Sequence, residues 1–276
     1  MVSSYNSGMF LYREHDPSGP IAIPQASHSW LAWQLATHWG NRRFPRPVPR
    51  AEVESAILLH DVGWTEFAIA PSIDELGRPR TFDRMPVALH LQIWRQSVSR
   101  VAAHSRYSGL LVATHFAALA ERKTADLLRR RETADARPVQ AFRAEMERLQ
   151  AGWMEELKVD ARYEASLSGL GRETNQRVLS VCDQIAVVLC ADLPRPFLVE
   201  AVGQEGVHEE LAVSEAGERT FKIRPWPFEG RRIKVHVEGR HLRTNVFESQ
   251  TAFDRAYRGA PSRRLAFTFL RTSATG

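Results

Sequence analysis

Residues 177–193 read RVLSVCDQIAVVLCADL, apolar on nearly every side of a helix, with Asp183 at the centre of the run. A helix that is hydrophobic all round is a buried helix. A carboxylate inside one must be paired, protonated or bound to a cation. Leu179 and Val187 stack on Asp183 one turn away on either side, and no lysine or arginine lies near it on the same helix. The chain must therefore fold so that other segments bring compensating groups to Asp183.

Four earlier helical patterns supply candidates. His28 shares a face with Leu31, Ala32, Leu35 and Trp39. His60 shares one with Val53, Ala56 and Ile57, and Asp61 follows it directly. His90 falls with Val87, Trp94, Val98 and Val101, and His115 with Leu111, Ala118 and Leu119. A single inward histidine is most often hydrogen-bonded to a backbone carbonyl. Inward polar groups on five successive helices point instead to a divalent metal bound by imidazoles and carboxylates together.

Composition bounds the setting. The chain has 276 residues, enough for one large domain or a domain with an appendage. Its net charge of +5 is mild, and its arginine runs, such as Arg42-Arg43 and Arg129-Arg130-Arg131, do not interleave with aromatics. They read as solvated faces, so no nucleic-acid partner is expected. Cys182 and Cys190 stand eight residues apart, about 12 Å along a helix, too far for a disulfide. With buried thiols, no secretory signal in MVSSYNSGMFLYREHD and no apolar run of membrane-spanning length, the reading is a cytoplasmic protein without a membrane partner. No G-x-S-x-G elbow, phosphate-cradling glycine loop or Cys-x-x-Cys pair is present.

The order of elements follows from periodicity. Helices are expected at 26–39, ending at Gly40, then at 50–62, about 86–101 and about 107–122. Residues 65–85 form a long loop of the kind that covers a site. Residues 123–176 read as an amphipathic helical insertion, with Phe142, Met146, Leu149, Trp153 and Leu157 on one stripe. That stripe packs on its own core or, alternatively, forms a homodimer contact. After Pro194-Arg195-Pro196, the segments FKIRPWPF, RRIKVHVEG and RLAFTFLRT alternate as strands do. The expected class is mainly α, with an all-α core: a helical domain at 1–196 and a small β-rich C-terminal appendage at 197–276.

The order His28, His60-Asp61, Asp183 resembles the H…HD…D signature of the HD-domain superfamily of helical metal-dependent phosphohydrolases. LLHDVGW, LHLQIWRQSV, YSGLLVATHFAALA, CDQIAVVLC and RPWPF are similar to a bacterial family called domain of unknown function 3891. The resemblance implies an HD-like helical bundle and a dinuclear site. His28, His60, Asp61 and Asp183 would hold one metal, Asp61 would bridge, and His90 and His115 would join it at a second. His60 and Asp61 would be catalytic. The expected ions are iron or manganese, with zinc, cobalt, nickel or magnesium as alternatives, and the expected reaction is attack of a metal-activated water on a small anionic, phosphorylated substrate. Thr114-His115 stands where cyclic-dinucleotide phosphodiesterases of this superfamily carry a His-His doublet, and Pro24 and Gln25 stand where they carry an acid. Single histidines at the middle positions are also the pattern of diiron HD oxygenases, a second reading. A non-catalytic scaffold is a third. On the substrate side the candidates are Gln25, one turn before His28, and Arg78, Arg80 and Arg84 in the loop after the HD pair, which could clamp an anion.

Overall fold

Helices form near the expected 26–39, 50–62, 86–101 and 107–122, but a short helix also forms inside the stretch expected as a loop at 65–85, another forms in the region expected to be β-rich, and the helix expected at 107–122 runs on to Arg129, into the expected insertion. A computed structural model describes residues 10–69, 71–82 and 85–272. Two short strands, β1 (Phe10–Arg13) and β2 (Ile21–Pro24), lead into α1 (Gln25–Thr37) and α2 (Arg50–Leu59). A 3-10 turn at Val62–Trp64 and a short α3 (Thr65–Ile69) precede α4 (Val87–His104) and α5 (Arg106–Arg129). Next come α6 (Thr133–Leu157), the single-turn α7 (Glu164–Leu167) and α8 (Gly169–Cys190). Serine side chains start two of these helices. Ser105 Oγ accepts from Ser108 N at 3.2 Å, and Ser168 Oγ accepts from Gly171 N at 3.0 Å, so each satisfies an amide with no partner inside the helix.

The stripe on α6 is turned into the chain's own core. Phe142, Met146, Trp153 and Leu157 are buried, Leu149 packs beside them, and the Phe142 ring lies 5.6 Å from Trp94 of α4. Cys182 and Cys190 are free thiols buried in α8.

The expected fold class needs correction. The protein is not mainly α with a small β-rich appendage, and the all-α description fails: the described residues are 54% helix and 21% strand, and their strands form one seven-stranded mixed sheet. The later strands are β3 (Phe197–Val202), β4 (His208–Gly217), β5 (Thr220–Arg224), β6 (Arg232–His241) and β7 (Ser262–Arg271), with α9 (Gln250–Gly259) between the last two. The order across the sheet is β1-β2-β6-β7-β5-β4-β3. β5 and β7 run parallel, and the other neighbours are antiparallel.

The N-terminal hairpin is thus an edge of the same sheet, with Ile21 opposite His241 and Ala22 opposite Arg240. Gly239 permits that pairing: a Cβ there would stand 2.7 Å from Ile21 Cγ2 and 2.9 Å from Ala22 O. Strand alternation then divides the hairpin between two clusters. Leu11, Ile21 and Ile23 join the main core with the helices, while Phe10 and Ala22 join Phe253 and Tyr257 of α9. The main core continues from α1 and α8 through Val199, Leu211, Ile233 and Leu265, so helices and sheet share one apolar interior. Among the described residues, no helix is long and apolar enough to cross a membrane.

Candidate metal centre

The stretch HDVGW is built residue by residue around one point. His60 follows the last turn of α2, and its Nδ1 contacts Ile57 O at 2.7 Å. A carbonyl only accepts, so Nδ1 carries the proton donated there, and the lone pair of a neutral ring lies at Nε2. Asp61 breaks the helix at φ −100°, ψ 19°, which turns its carboxylate inward. Gly63 lets the 3-10 turn close on α4: its N–H donates to Ser97 Oγ at 2.9 Å, and a Cβ would meet Ile93 O at 2.3 Å. Trp64 Nε1 reaches back to donate to Asp61 Oδ1 at 3.2 Å and orients that carboxylate.

Asp183 reaches the same point from α8. Its Oδ1 lies 3.1 Å from His28 Nε2 and 3.4 Å from His60 Nε2, and its Oδ2 lies 3.5 Å from His115 Nε2. Asp61 Oδ2 stands 3.5 Å from His28 Nδ1 and 3.4 Å from His60 Nε2. His28 is therefore placed between two carboxylates, one for each ring nitrogen. Ligand atoms of His28, His60 and Asp183 lie within 4.8 Å of one another, all on buried residues. His28 Nδ1 and His60 Nε2 are buried polar atoms without a hydrogen-bond partner. Two imidazoles and a carboxylate converging, with two inward nitrogens unsatisfied, form a donor set that fits a divalent transition metal.

The electrostatics report the same demand for positive charge. Burial opposes ionisation of His28, but the close carboxylates of Asp183 and Asp61 overcome it and raise the pKa to about 10. Burial likewise opposes the charge on His60, and Asp61 and Asp183 raise it. Burial would push Asp183 up, yet the three histidines hold it well below the ordinary carboxylate range. Asp61 is lowered against its burial by His60 and His28. At His115 burial outweighs the pull of Asp183, so its pKa falls. A buried pair of carboxylates needs cations of some kind, and protons and metal ions compete for these nitrogens.

The six expected ligands do not all meet. His28 and His60 each approach both Asp61 and Asp183 within 3.5 Å. His115 reaches Asp183 and makes no hydrogen bond or ion pair to Asp61. His90 packs between Trp64 and Trp94, at ring distances of 5.4 and 4.5 Å, and makes no hydrogen bond or ion pair to either carboxylate. Burial between those indoles takes its pKa down to about 4, so it is a neutral imidazole at pH 7.

A cavity of about 460 Å³ opens over the cluster. Gln25, His90 and His115 line it, and its walls are mainly apolar: Trp64, Phe82, Trp94, Phe116, Leu119 and Val187 among them. Arg78 and Arg80 do not line it. Arg80 donates to Ile73 O at 2.9 Å and Glu75 Oε1 at 2.7 Å, which holds its own loop, and Arg78 is exposed. Arg84 lies outside the described residues. The guanidinium at this cavity is Arg122 of α5, exposed at the wall and without an ion pair among the described residues. Sequence reasoning missed it, although the signal exists: Leu119 and Arg122 follow His115 at i+4 and i+7, on one helical face.

The long helices pack on a mixed sheet, and a buried histidine–aspartate cluster lines a cavity among them. A family model described as a protein of unknown function, DUF3891, matches residues 10–244, and the chain belongs to that family. No curated protein and no solved structure matches the chain.

Proposed function

We propose that the protein is a metal-dependent hydrolase of the HD type acting on a small anionic substrate. The observation that carries this reading is the convergence of His28, His60 and Asp183, with His60 Nδ1 committed to Ile57 O and Nε2 left inward. His28, His60 and Asp183 would hold a divalent ion, with Asp61 beside them. Such an ion supplies Lewis acidity and brings the pKa of a bound water toward neutrality.

The chain's own groups divide the remaining work. Asp61, oriented by Trp64 and held as the carboxylate, accepts a proton from the attacking water at Oδ2. His90, neutral and at the cavity wall, would hydrogen-bond to the substrate's leaving oxygen without supplying its proton. Arg122 offers a fork to the substrate's anionic group. The aromatic walls exclude water and favour an apolar body, so an aryl or alkyl phosphate suits this cavity better than a hydroxyl-rich sugar phosphate. In hydrolysis the water oxygen bonds to phosphorus, the ester P–O bond breaks, and the leaving oxygen takes the proton.

The test is metal content and turnover of the full chain, purified without oxygen or chelator from cells supplied with iron and manganese. One or two equivalents of metal, with release of phosphate from 1-naphthyl phosphate that is lost in His60→Ala, supports the reading. Oxygen consumption with no phosphate release would replace it with the oxygenase. A folded protein that takes up no metal on titration would replace it with a scaffold.

A further inference from the structure

A second concentration of charge lies beyond the other end of α1, on the order of 15 Å from His28 at 1.5 Å per helical residue. The loop after α1 is locked against the segment between β5 and β6. Gly40 N donates to Pro227 O at 3.0 Å, Asn41 Nδ2 to Trp226 O at 2.9 Å, and Glu229 N to His38 O at 2.8 Å. Asn41 Oδ1 accepts from Arg43 N at 2.8 Å and Phe44 N at 3.1 Å, which fixes the backbone that carries Arg42. One end of the sheet meets this loop: Arg271 pairs with Ile223, and Arg271 N donates to Arg231 O at 2.9 Å.

Between these segments runs a groove of about 900 Å³, lined by Arg42, Arg43, Arg224, Arg231 and Arg271 and by no acidic side chain among the described residues. Arg43 is held by Glu209, at 2.7 and 2.5 Å. The side chains of Arg42, Arg224, Arg231 and Arg271 form no hydrogen bond or ion pair among the described residues, and all four are exposed. Some other surface arginines are paired, Arg50 with Glu54, Arg95 with Glu145, Arg143 with Glu121 and Glu147, and Arg195 with Glu215, while others, such as Arg122 and Arg148, are unpaired but scattered. What distinguishes this groove is that four unpaired guanidiniums line one cavity.

We infer that this groove binds a compact oligophosphate, a small molecule carrying three or more linked phosphate groups. Guanidinium forks match phosphate oxygens two at a time, and the lining contains arginine without lysine. Several forks around one groove need a ligand with several anionic groups close together. The fixed backbone lowers the ordering cost of binding. A single-stranded nucleic acid would need exposed rings on which bases stack. The aromatic in this lining, Trp226, is buried, with its Nε1 donating to Gly230 O at 2.9 Å. The groove and the metal cavity have no lining residue in common, so this inference stands apart from the proposed hydrolysis.

The test is calorimetric titration of the full chain with inorganic tripolyphosphate at physiological salt. Saturable binding at one site per chain is expected. Arg224→Gln and Arg271→Gln should each weaken it about tenfold, the effect of losing one charge-assisted contact. Arg130→Gln at the end of α5 should leave it unchanged, and all three variants should keep the parent melting temperature. An equal loss in Arg130→Gln would mean general charge attraction and overturn the site. So would orthophosphate binding as tightly as tripolyphosphate, or no binding at all. Tighter binding of a single-stranded oligonucleotide or of phosphatidylserine vesicles, lost in Arg224→Gln, would overturn the small-molecule assignment.

Discussion

The two ends of α1 treat charge in opposite ways. Near its first turn His28 is buried between Asp61 and Asp183, and each charge there is compensated at close range. Beyond its last turn Arg42, Arg224, Arg231 and Arg271 stand in solvent with no ion pair among the described residues. Burial makes an unpaired charge costly, so the cluster is tightly interdependent. Solvent screens the groove, so its arginines can remain free at little cost to stability. The difference teaches that the cavity couples charge to folding, whereas the groove holds charge available for a ligand.

The largest expected effect tests the interdependence. Asp183→Ala removes the partner of His28, His60 and His115 and should cost about 3–5 kcal/mol in chemical denaturation, as breaking a buried charge pair does. It should also abolish metal uptake. A variant as stable as the parent would break the comparison, because the cluster would then carry no coupled charge. Next is Gly63→Ala, which forces a Cβ against Ile93 O at 2.3 Å and should cost about 1–3 kcal/mol by overpacking. A normal melting temperature in that variant would show that the turn carrying Asp61 is free to shift.

A pH titration sharpens the contrast through another buried carboxylate. Burial pushes Asp16 up, but Ser18 and Arg13 outweigh it and hold its pKa below the ordinary value of 3.8. Its folded pKa being the lower one, its stabilisation is present above pH ~4 and is lost as pH falls through the folded value. Asp16→Asn should therefore flatten the acid limb of the stability curve, while the groove variants leave that limb unchanged. An unaltered acid limb in Asp16→Asn would count against the Arg13–Asp16–Arg219 network as a source of stability. The smallest effect is expected for Arg224→Gln and Arg271→Gln, within about 0.5 kcal/mol of the parent. A larger loss would show that these side chains brace the sheet and are not held free.

Much of the cavity was legible before the fold was known. His28, His60, Asp61, His115 and Asp183 were recognisable because a polar group on an apolar helical face has to be explained, and helical spacing is local. His90 satisfies the same criterion, yet it sits between Trp64 and Trp94, because spacing names the buried face of α4 and not what that face meets. Arg78 and Arg80 were attractive as charges in a loop near the HD pair, but proximity in sequence did not bring them to the cavity. Arg122 reached it through the geometry of α5, seven residues beyond His115.

The sheet was the less legible part. FLYR and IAIP are four residues each, too short to show a period, and the strand that joins their hairpin to the sheet, β6, lies more than two hundred residues along the chain. β6 and β7 were visible as alternation, but nothing in that alternation says which strands stand beside them. The amino-acid sequence by itself determined which side chains are buried on each helix, and therefore that Asp183 needed partners. Only the tertiary structure decided that a hairpin from one end of the chain closes a sheet made at the other, that His90 stands apart from the carboxylates, and that four arginines from distant segments share one groove. Periodicity is a property of neighbours along the chain, whereas strand pairing and charge clustering are settled by close packing between segments far apart in it.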